Sequence, residues 1–304
     1  LLGGGSVTGD LSVSGGTLAG TIDLAPANFS LGTGAAVATT GSLAVTNSFS
    51  DAGGSFSGTF SSIDITQSSG ALTVPALTAA NAITLSAPTG TVTLNGVQTT
   101  TAANSSIVIE GSGFANAVGA GAFSGGAGGR WLVYASDPGS VTKNGLTSDF
   151  RRYSNSLGAL SATGNGFIYA SAAGTLSVDT TLTGSANHVY GDAPTASFGY
   201  TLAGFADAED NAGNIGIAGA PGLNIPAPAS ASDAGNYTLN YASGLSSGAG
   251  YTFSAGTGLA YNVTQAPLSI SASNQGKVYG DTLSFAGTEF VATGLKNSQT
   301  VGSV

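Results

Sequence analysis

Cysteine and methionine are absent from this 304-residue chain, histidine and tryptophan occur once each, and Lys and Arg together number six. Without cysteine there is no disulfide scaffold and no thiolate metal site. Fifteen acidic residues leave a net charge of −9. That balance argues against nucleic acid as a partner, because phosphate binding needs clustered Lys and Arg. Charged residues make up only 7% of the chain, so its surface must be built from Ser, Thr, Asn and backbone amide groups. No apolar run reaches the roughly eighteen residues needed to span a bilayer as a helix. The apolar stretch 114–129 is interrupted by Gly and Ala and reads as a loop. The chain starts Leu1-Leu-Gly-Gly-Gly5 without a charged leader, so it reads as an internal piece of a longer protein.

Glycine, at 49 residues, and short β-branched segments dominate what is present. Helix signals are scarce, and apolar residues alternate with period two. Apolar-x-apolar triplets recur at Ile22-Asp-Leu24, Leu43-Ala-Val45, Ile63-Asp-Ile65, Ile83-Thr-Leu85 and Ile107-Val-Ile109, in steps of 21, 20, 20 and 24 residues. A second series, Leu72-Thr-Val74 and Val92-Thr-Leu94, repeats the step of 20. A constant period near twenty with short strands predicts a β-solenoid, a parallel β-helix. The outer residues of each triplet point inward and stack into a column that no single coil could bury. Five or six coils at the usual strand spacing make a rod of roughly 25–30 Å.

The middle positions include Asp23 and Asp64, expected on one outer face on the order of 10 Å apart. That separation invites comparison with the paired carboxylates of glycosidases. Residues 1–129 contain no Lys, Arg or His, however. No cation or base stands opposite these acids, and the ladder reads as a scaffold.

The chemistry changes at Gly129-Arg-Trp-Leu-Val-Tyr-Ala-Ser-Asp-Pro138, followed by Asp149-Phe-Arg-Arg-Tyr153 and Gly164-Asn-Gly-Phe-Ile-Tyr169. Trp131–Tyr134, Phe150–Tyr153 and Phe167–Ala170 read as three strands separated by Asp-Pro-Gly and Gly-Asn-Gly turns. Their aromatics suit the closure of a solenoid's open end. Wherever exposed, Trp131, Arg151 and Tyr153 would also suit a saccharide-binding patch. This block resembles the end of the β-helical region in filamentous-haemagglutinin-like exoproteins, large adhesins that Gram-negative bacteria secrete by the two-partner route.

Tyr190-Gly-Asp192 and Tyr279-Gly-Asp281 each follow Val, 89 positions apart. Gly174-Thr-Leu-Ser-Val178 parallels Ala266-Pro-Leu-Ser-Ile270, and Phe198 parallels Phe285. Between the copies lie Ala234-Gly-Asn-Tyr237, Gly250-Tyr-Thr-Phe253 and Tyr261-Asn-Val-Thr264. The segment is similar to the mostly-β, glycine-rich (MBG) modules that follow the solenoid in such adhesins. Tyr-Gly-Asp is expected to be a structural turn: Gly takes φ > 0, Asp bonds its own backbone, and Tyr packs inward. His188 reads as a surface strand residue. Asp207, Glu209 and Asp210, in a loop ending at Gly213, form a Ca²⁺ candidate whose spacing fits neither an EF-hand nor a calcium β-roll.

The expected class is therefore all-β. A solenoid over 1–125 leads to a cap over 126–175, a first glycine-rich module over 176–266, and the start of a second, incomplete module over 267–304. No catalytic residue, cofactor or enzymatic activity is assigned. The resemblance implies a secreted, cell-surface stalk of an adhesin, serving attachment or biofilm contacts. It implies an outer-membrane secretion partner, with extracellular polysaccharide or cell-surface glycans as ligands. The alternative is a self-associating subunit of an extracellular filament, and a third reading is a β-helical carbohydrate-active enzyme.

Overall fold

A computed structural model describes residues 5–156, 158 and 162–302 of the chain. The quoted Leu-Leu-Gly-Gly start and the last two residues of the expected second module lie outside the described residues. The architecture is all-β; the one helical element among the described residues is a 3-10 turn at Pro138–Ser140, capped by Asp137.

The period-two triplets become rungs of one parallel sheet. Gly5–Val13, Ile22–Leu31, Leu43–Val45, Phe60–Thr66, Leu77–Leu94, Ser106–Asn116 and Arg130–Ala135 lie side by side in chain order. They make a parallel β-solenoid of about six turns. Leu43 pairs with Ile63, Ile63 with Ile83, and Ile83 with Ile107. In each triplet the outer residues are buried and the middle residue turns outward, as alternation along a strand requires. The second series is in register too, with Leu72 opposite Val92 and Val92 opposite Phe114. Aromatic rings fill the wider interior. Phe29 stacks on Phe49 at 5.5 Å, and further along Phe123 and Phe167 flank Trp131 at 5.2 and 5.1 Å. Phe114 is buried within Ser106–Asn116, and Phe123–Ser124 is a short strand. The stretch 114–129 is thus part of the coil and not simply a loop, because its two Phe side chains continue the inner column.

Asp23 and Asp64 do not share a rung position. Leu24, not Ile22, pairs with Leu43, so Asp23 lies beside Ser42 while Asp64 lies between Ala44 and Thr84. A slip of two residues returns every side chain to the same face, so alternation alone cannot reveal it. Asp23 accepts hydrogen bonds from the Ser42 amide at 2.7 Å and hydroxyl at 2.8 Å, and these hold its carboxyl below the usual range. Partial desolvation moves Asp64 the other way. A second polar file links Asp10, Asn28 and Asn47 by side-chain hydrogen bonds of 2.7 Å.

Close contact between coils explains much of the glycine content. A Cβ on Gly41 would sit 2.1 Å from the Ile22 carbonyl oxygen, and one on Gly90 would sit 2.0 Å from that of Gly70. Backbone packs directly on backbone there, and no side chain fits.

The last rungs break chain order. Gly166–Tyr169 pairs with Arg130–Ala135, and Phe150–Arg152 lies outermost, beyond it. All three expected strands at the junction form, but the second and third exchange places. Two compact units divide the chain. One holds the solenoid with Phe205–Ala218 and Ser246–Thr252; the other holds Thr175–Gly204, Gly219–Leu245 and the residues from Phe253 onward. Two segments from the range expected to be one module therefore group with the solenoid. In the second unit, Thr175–Thr183 pairs antiparallel with Ser197–Ala203, and Ser269–Ala272 pairs the same way with Phe290–Thr293.

Candidate functional site

Half of the chain's six basic residues fall between positions 143 and 152, and its densest acidic stretch is 207–210. The fold brings them together at the end of the solenoid. The outermost strand, Phe150–Arg152, needs partners for its free edge. The Arg151 amide donates to the Asn214 carbonyl at 3.0 Å, and the Tyr153 amide donates to that of Ala249 at 2.9 Å. The solenoid is thus closed by Phe205–Ala218 and Ser246–Thr252, which return from much later in the chain.

Beneath this cover one guanidinium meets three carboxylates. Arg151 Nη1 donates to Asp207 Oδ2 at 2.9 Å and Nη2 to Glu209 Oε2 at 3.0 Å. Its Nε lies 3.1 Å from Asp210 Oδ1, a charge contact without hydrogen-bond alignment. Lys143 Nζ bridges Asp207 and Glu209. Tyr153 and Tyr251 both donate to Asp210 Oδ2, and Tyr169 donates to Asp207 Oδ2 at 3.3 Å. The Phe167 ring lies under both cations, 5.6 Å from Lys143 Nζ and 5.8 Å from Arg151 Cζ. Burial opposes the charge on Asp207, but hydrogen bonds from Lys143 and the Glu209 amide, with the two cations, hold its carboxyl below the usual range. Burial first, then the adjoining Asp210 carboxylate, pushes the Tyr251 phenol up to about 12. Burial likewise drives the Tyr153 and Tyr169 phenols up, with Tyr251 and then Asp210 adding to it at Tyr153 and Asp207 at Tyr169.

This arrangement corrects two expectations. The spacing of Asp207, Glu209 and Asp210 offers a Ca²⁺ loop, yet their carboxylates face Arg151 and Lys143. Among the described residues no group of acidic and His side chains is arranged to hold a metal ion. Trp131, Arg151 and Tyr153 are buried, at 7%, 2% and 2% exposure, so they present no ring face to a sugar. The rings fill the last coil, and the guanidinium neutralises the cover. Lys143, Tyr169 and Tyr251 were missed, since nothing local marks them. The available signal was charge complementarity between 143–152 and 207–210 in a chain that has so little charge.

Both Tyr-Gly-Asp copies form turns. The Asp192 amide donates to Val189 O at 2.9 Å and the Asp281 amide to Val278 O at 3.1 Å, with φ of +90° at Gly191 and +94° at Gly280. These are type II turns, which require positive φ at the third residue. The aspartate side chains do not close them: Asp192 Oδ1 accepts from Lys296 Nζ at 2.7 Å, and Asp281 receives Lys277 at its backbone carbonyl. Tyr190 packs against the cluster of Leu239, Tyr261 and Val263, whereas Tyr279 is fully exposed. The inward packing of Tyr therefore holds for one copy only.

His188 is buried and not a surface residue. Its strand, Asn187–Val189, pairs with Leu259–Thr264, with His188 opposite Val263. Nε2 lies 3.1 Å from the Ala229 carbonyl and Nδ1 3.0 Å from Tyr261 Oη. A carbonyl can only accept, so Nε2 carries the hydrogen, and in the neutral ring Nδ1 accepts from Tyr261. One nitrogen thus ties its strand to the strand of Tyr261 and the other to the loop at Ala229.

No family model, curated protein or solved structure matches the chain.

Proposed function

We propose that this chain is a non-enzymatic stalk segment of a secreted, surface-associated adhesin of the filamentous-haemagglutinin-like kind, with MBG-like modules following its solenoid. The observation that carries the reading is the solenoid itself: parallel coils with aliphatic and aromatic columns inside and few charges outside. A stacked-coil rod gives reach, and a surface of hydroxyls, amides and backbone suits many weak contacts with polysaccharide, which gain strength through multivalency. The non-enzymatic reading is supported by the use of the titratable cluster. Its carboxylates, cations and phenols bond one another beneath a cover, and Asp23 and Asp64 have no base or cation beside them. Secretion through an outer-membrane partner and placement at a bacterial cell surface belong to the same proposal.

The test is display of the intact chain on beads at low and high density over a glycan array, with release of reducing sugar assayed alongside. Density-dependent retention without sugar release is expected. Release of reducing ends from any bound polysaccharide would overturn the non-enzymatic reading. Density-independent failure to bind any glycan or cell surface would overturn the adhesive one.

A further inference from the structure

Asn187–Val189, Leu259–Thr264 and Gly235–Leu239 form one three-stranded sheet, with Leu259–Thr264 in the middle. One face packs inward, where His188, Tyr261, Val263 and Leu239 are buried. Alternation along each strand sends the residues between them to the other face. There the register sets Asn187 opposite Asn262, and Asn262 opposite Asn236. Three asparagines from three separate segments of the chain thus make one row across the sheet, about 10 Å long at the usual strand spacing. Beside the row, exposed Thr238 stands opposite exposed Ala260. Further along, the Asn240 side chain lies over Gly258, where a Cβ would sit 2.0 Å from Asn240 Oδ1. Ala260 and Gly258 are therefore a low floor with side-chain amides on either side of it.

The fold does not use up the hydrogen bonds of this row. Asn262 Nδ2 donates to Asn236 Oδ1 at 2.6 Å, and Ser185 Oγ donates to Asn187 Oδ1 at 3.3 Å. That leaves Nδ2 of Asn187, Nδ2 of Asn236 and Oδ1 of Asn262 without a protein partner among the described residues. Each amide offers both donors and an acceptor, and a ligand whose hydroxyls replace the surface water there keeps those bonds. The three strands contain no Asp, Glu, Lys or Arg, so the face holds no counter-charge for a phosphate, a sulfate or a uronate. Val189 is the one outward residue with an aliphatic side chain larger than Ala. A protein interface or a membrane surface needs an apolar core that this face lacks. Neutral hydroxyls are the chemistry that matches it.

We propose that the outward face of this sheet is a binding site for a neutral polysaccharide. Vicinal hydroxyls of the sugar bond the amides of Asn187, Asn262 and Asn236, and a sugar ring rests on Ala260 and Gly258 beside Thr238. The proposal rests on the adhesive reading above and gives it a location and a ligand class. A flat face of this kind holds each sugar unit weakly, and its strength comes from many copies meeting one long polymer.

The experiment passes the intact chain over beads carrying dextran, mannan or galactan, and in parallel over alginate and heparin, at low and high salt. The result expected is retention on a neutral polysaccharide that salt does not weaken, since no charge pair is screened. Asn236→Ala and Asn262→Ala each reduce that retention about two- to tenfold, the size of one net hydrogen bond. Both side chains face outward, so the circular dichroism of the variants stays that of the parent. Thr201→Ala, at an exposed position on Ser197–Ala203, is the control and leaves retention unchanged. Retention that neither asparagine variant weakens, or that Thr201→Ala weakens equally, overturns the site and leaves the adhesive reading standing. Retention confined to alginate or heparin overturns the neutral class. No retention on any bead overturns the site and the adhesive reading together.

Discussion

Arg151 and Asp207 are 56 residues apart in the chain and 2.9 Å apart at the end of the solenoid, both nearly out of contact with water. Their pairing joins the outermost coil strand to a loop that follows a whole antiparallel strand pair in sequence. Asp210 takes its ion pair from that guanidinium, and Asp207 shares it with Lys143. The solenoid's last coil is therefore only as stable as the return of a distant segment.

Arg151→Met should destabilise the chain by about 3–5 kcal/mol, because it leaves the buried Asp210 carboxylate without its counter-ion. Glu209→Gln should cost only about 0–1 kcal/mol, since the Glu209 side chain is 57% exposed and its ion pairs are screened by water. Urea unfolding followed by emission of Trp131, which lies in the same coil, measures both. Equal effects would show that the buried charges are not what holds the cover.

The same cluster sets opposite pH limits. The folded pKa of Asp207 is lowered from 3.8, so its contribution is present above that value and is lost as pH falls through the lower, folded value. The folded pKa of Tyr251 is raised from 10.0 to about 12, so its contribution is complete below pH 10 and is lost as pH rises toward 12. Trp131 emission should shift in acid below that carboxylate value. Phenolate absorbance should show the Tyr251 phenol resisting ionisation through pH 10 and titrating near 12, with Tyr153 and Tyr169 ionising higher still. A single tyrosine class near 10 would contradict the buried phenols.

Gly90→Ala should destabilise the solenoid by more than about 2 kcal/mol, since the added carbon meets the Gly70 backbone and two coils must separate. Gly15→Ala meets nothing within 4 Å and should fall within about 0.5 kcal/mol of the parent. Thermal unfolding of the two variants separates the effect of close coil contact from that of glycine content in general.

Tyr190→Ala should cost about 1–2 kcal/mol, because the ring packs on Leu239, Tyr261 and Val263. Tyr279→Ala, at a fully exposed ring, should leave stability within about 0.5 kcal/mol. Identical tetrapeptides would then differ only through what surrounds them, as denaturant midpoints of the two variants would show.

Much of the solenoid was legible in the triplets. Ile63-Asp-Ile65 and Ile83-Thr-Leu85 state both a period near twenty and the inward face, and the two stack as read. The offset of Ile22-Asp-Leu24 against Leu43-Ala-Val45 was not legible, because a two-residue slip changes no side chain's facing. Trp131 and Tyr153 announced an end to the coils. They did not announce that Phe150–Arg152 would pass beyond Gly166–Tyr169, since strand order depends on which edge is left to pair.

The sequence by itself determined the all-β character, the coil period, the buried column and the Gly turns of both Tyr-Gly-Asp copies. All of these follow from local alternation and backbone sterics. Only the tertiary structure decided that Asp207, Glu209 and Asp210 face Arg151 and Lys143, that His188 is interior, and that Tyr190 is covered while Tyr279 is not. Those outcomes depend on contacts between residues tens of positions apart, where burial sets the value of a charge or a ring and no local pattern records the partner.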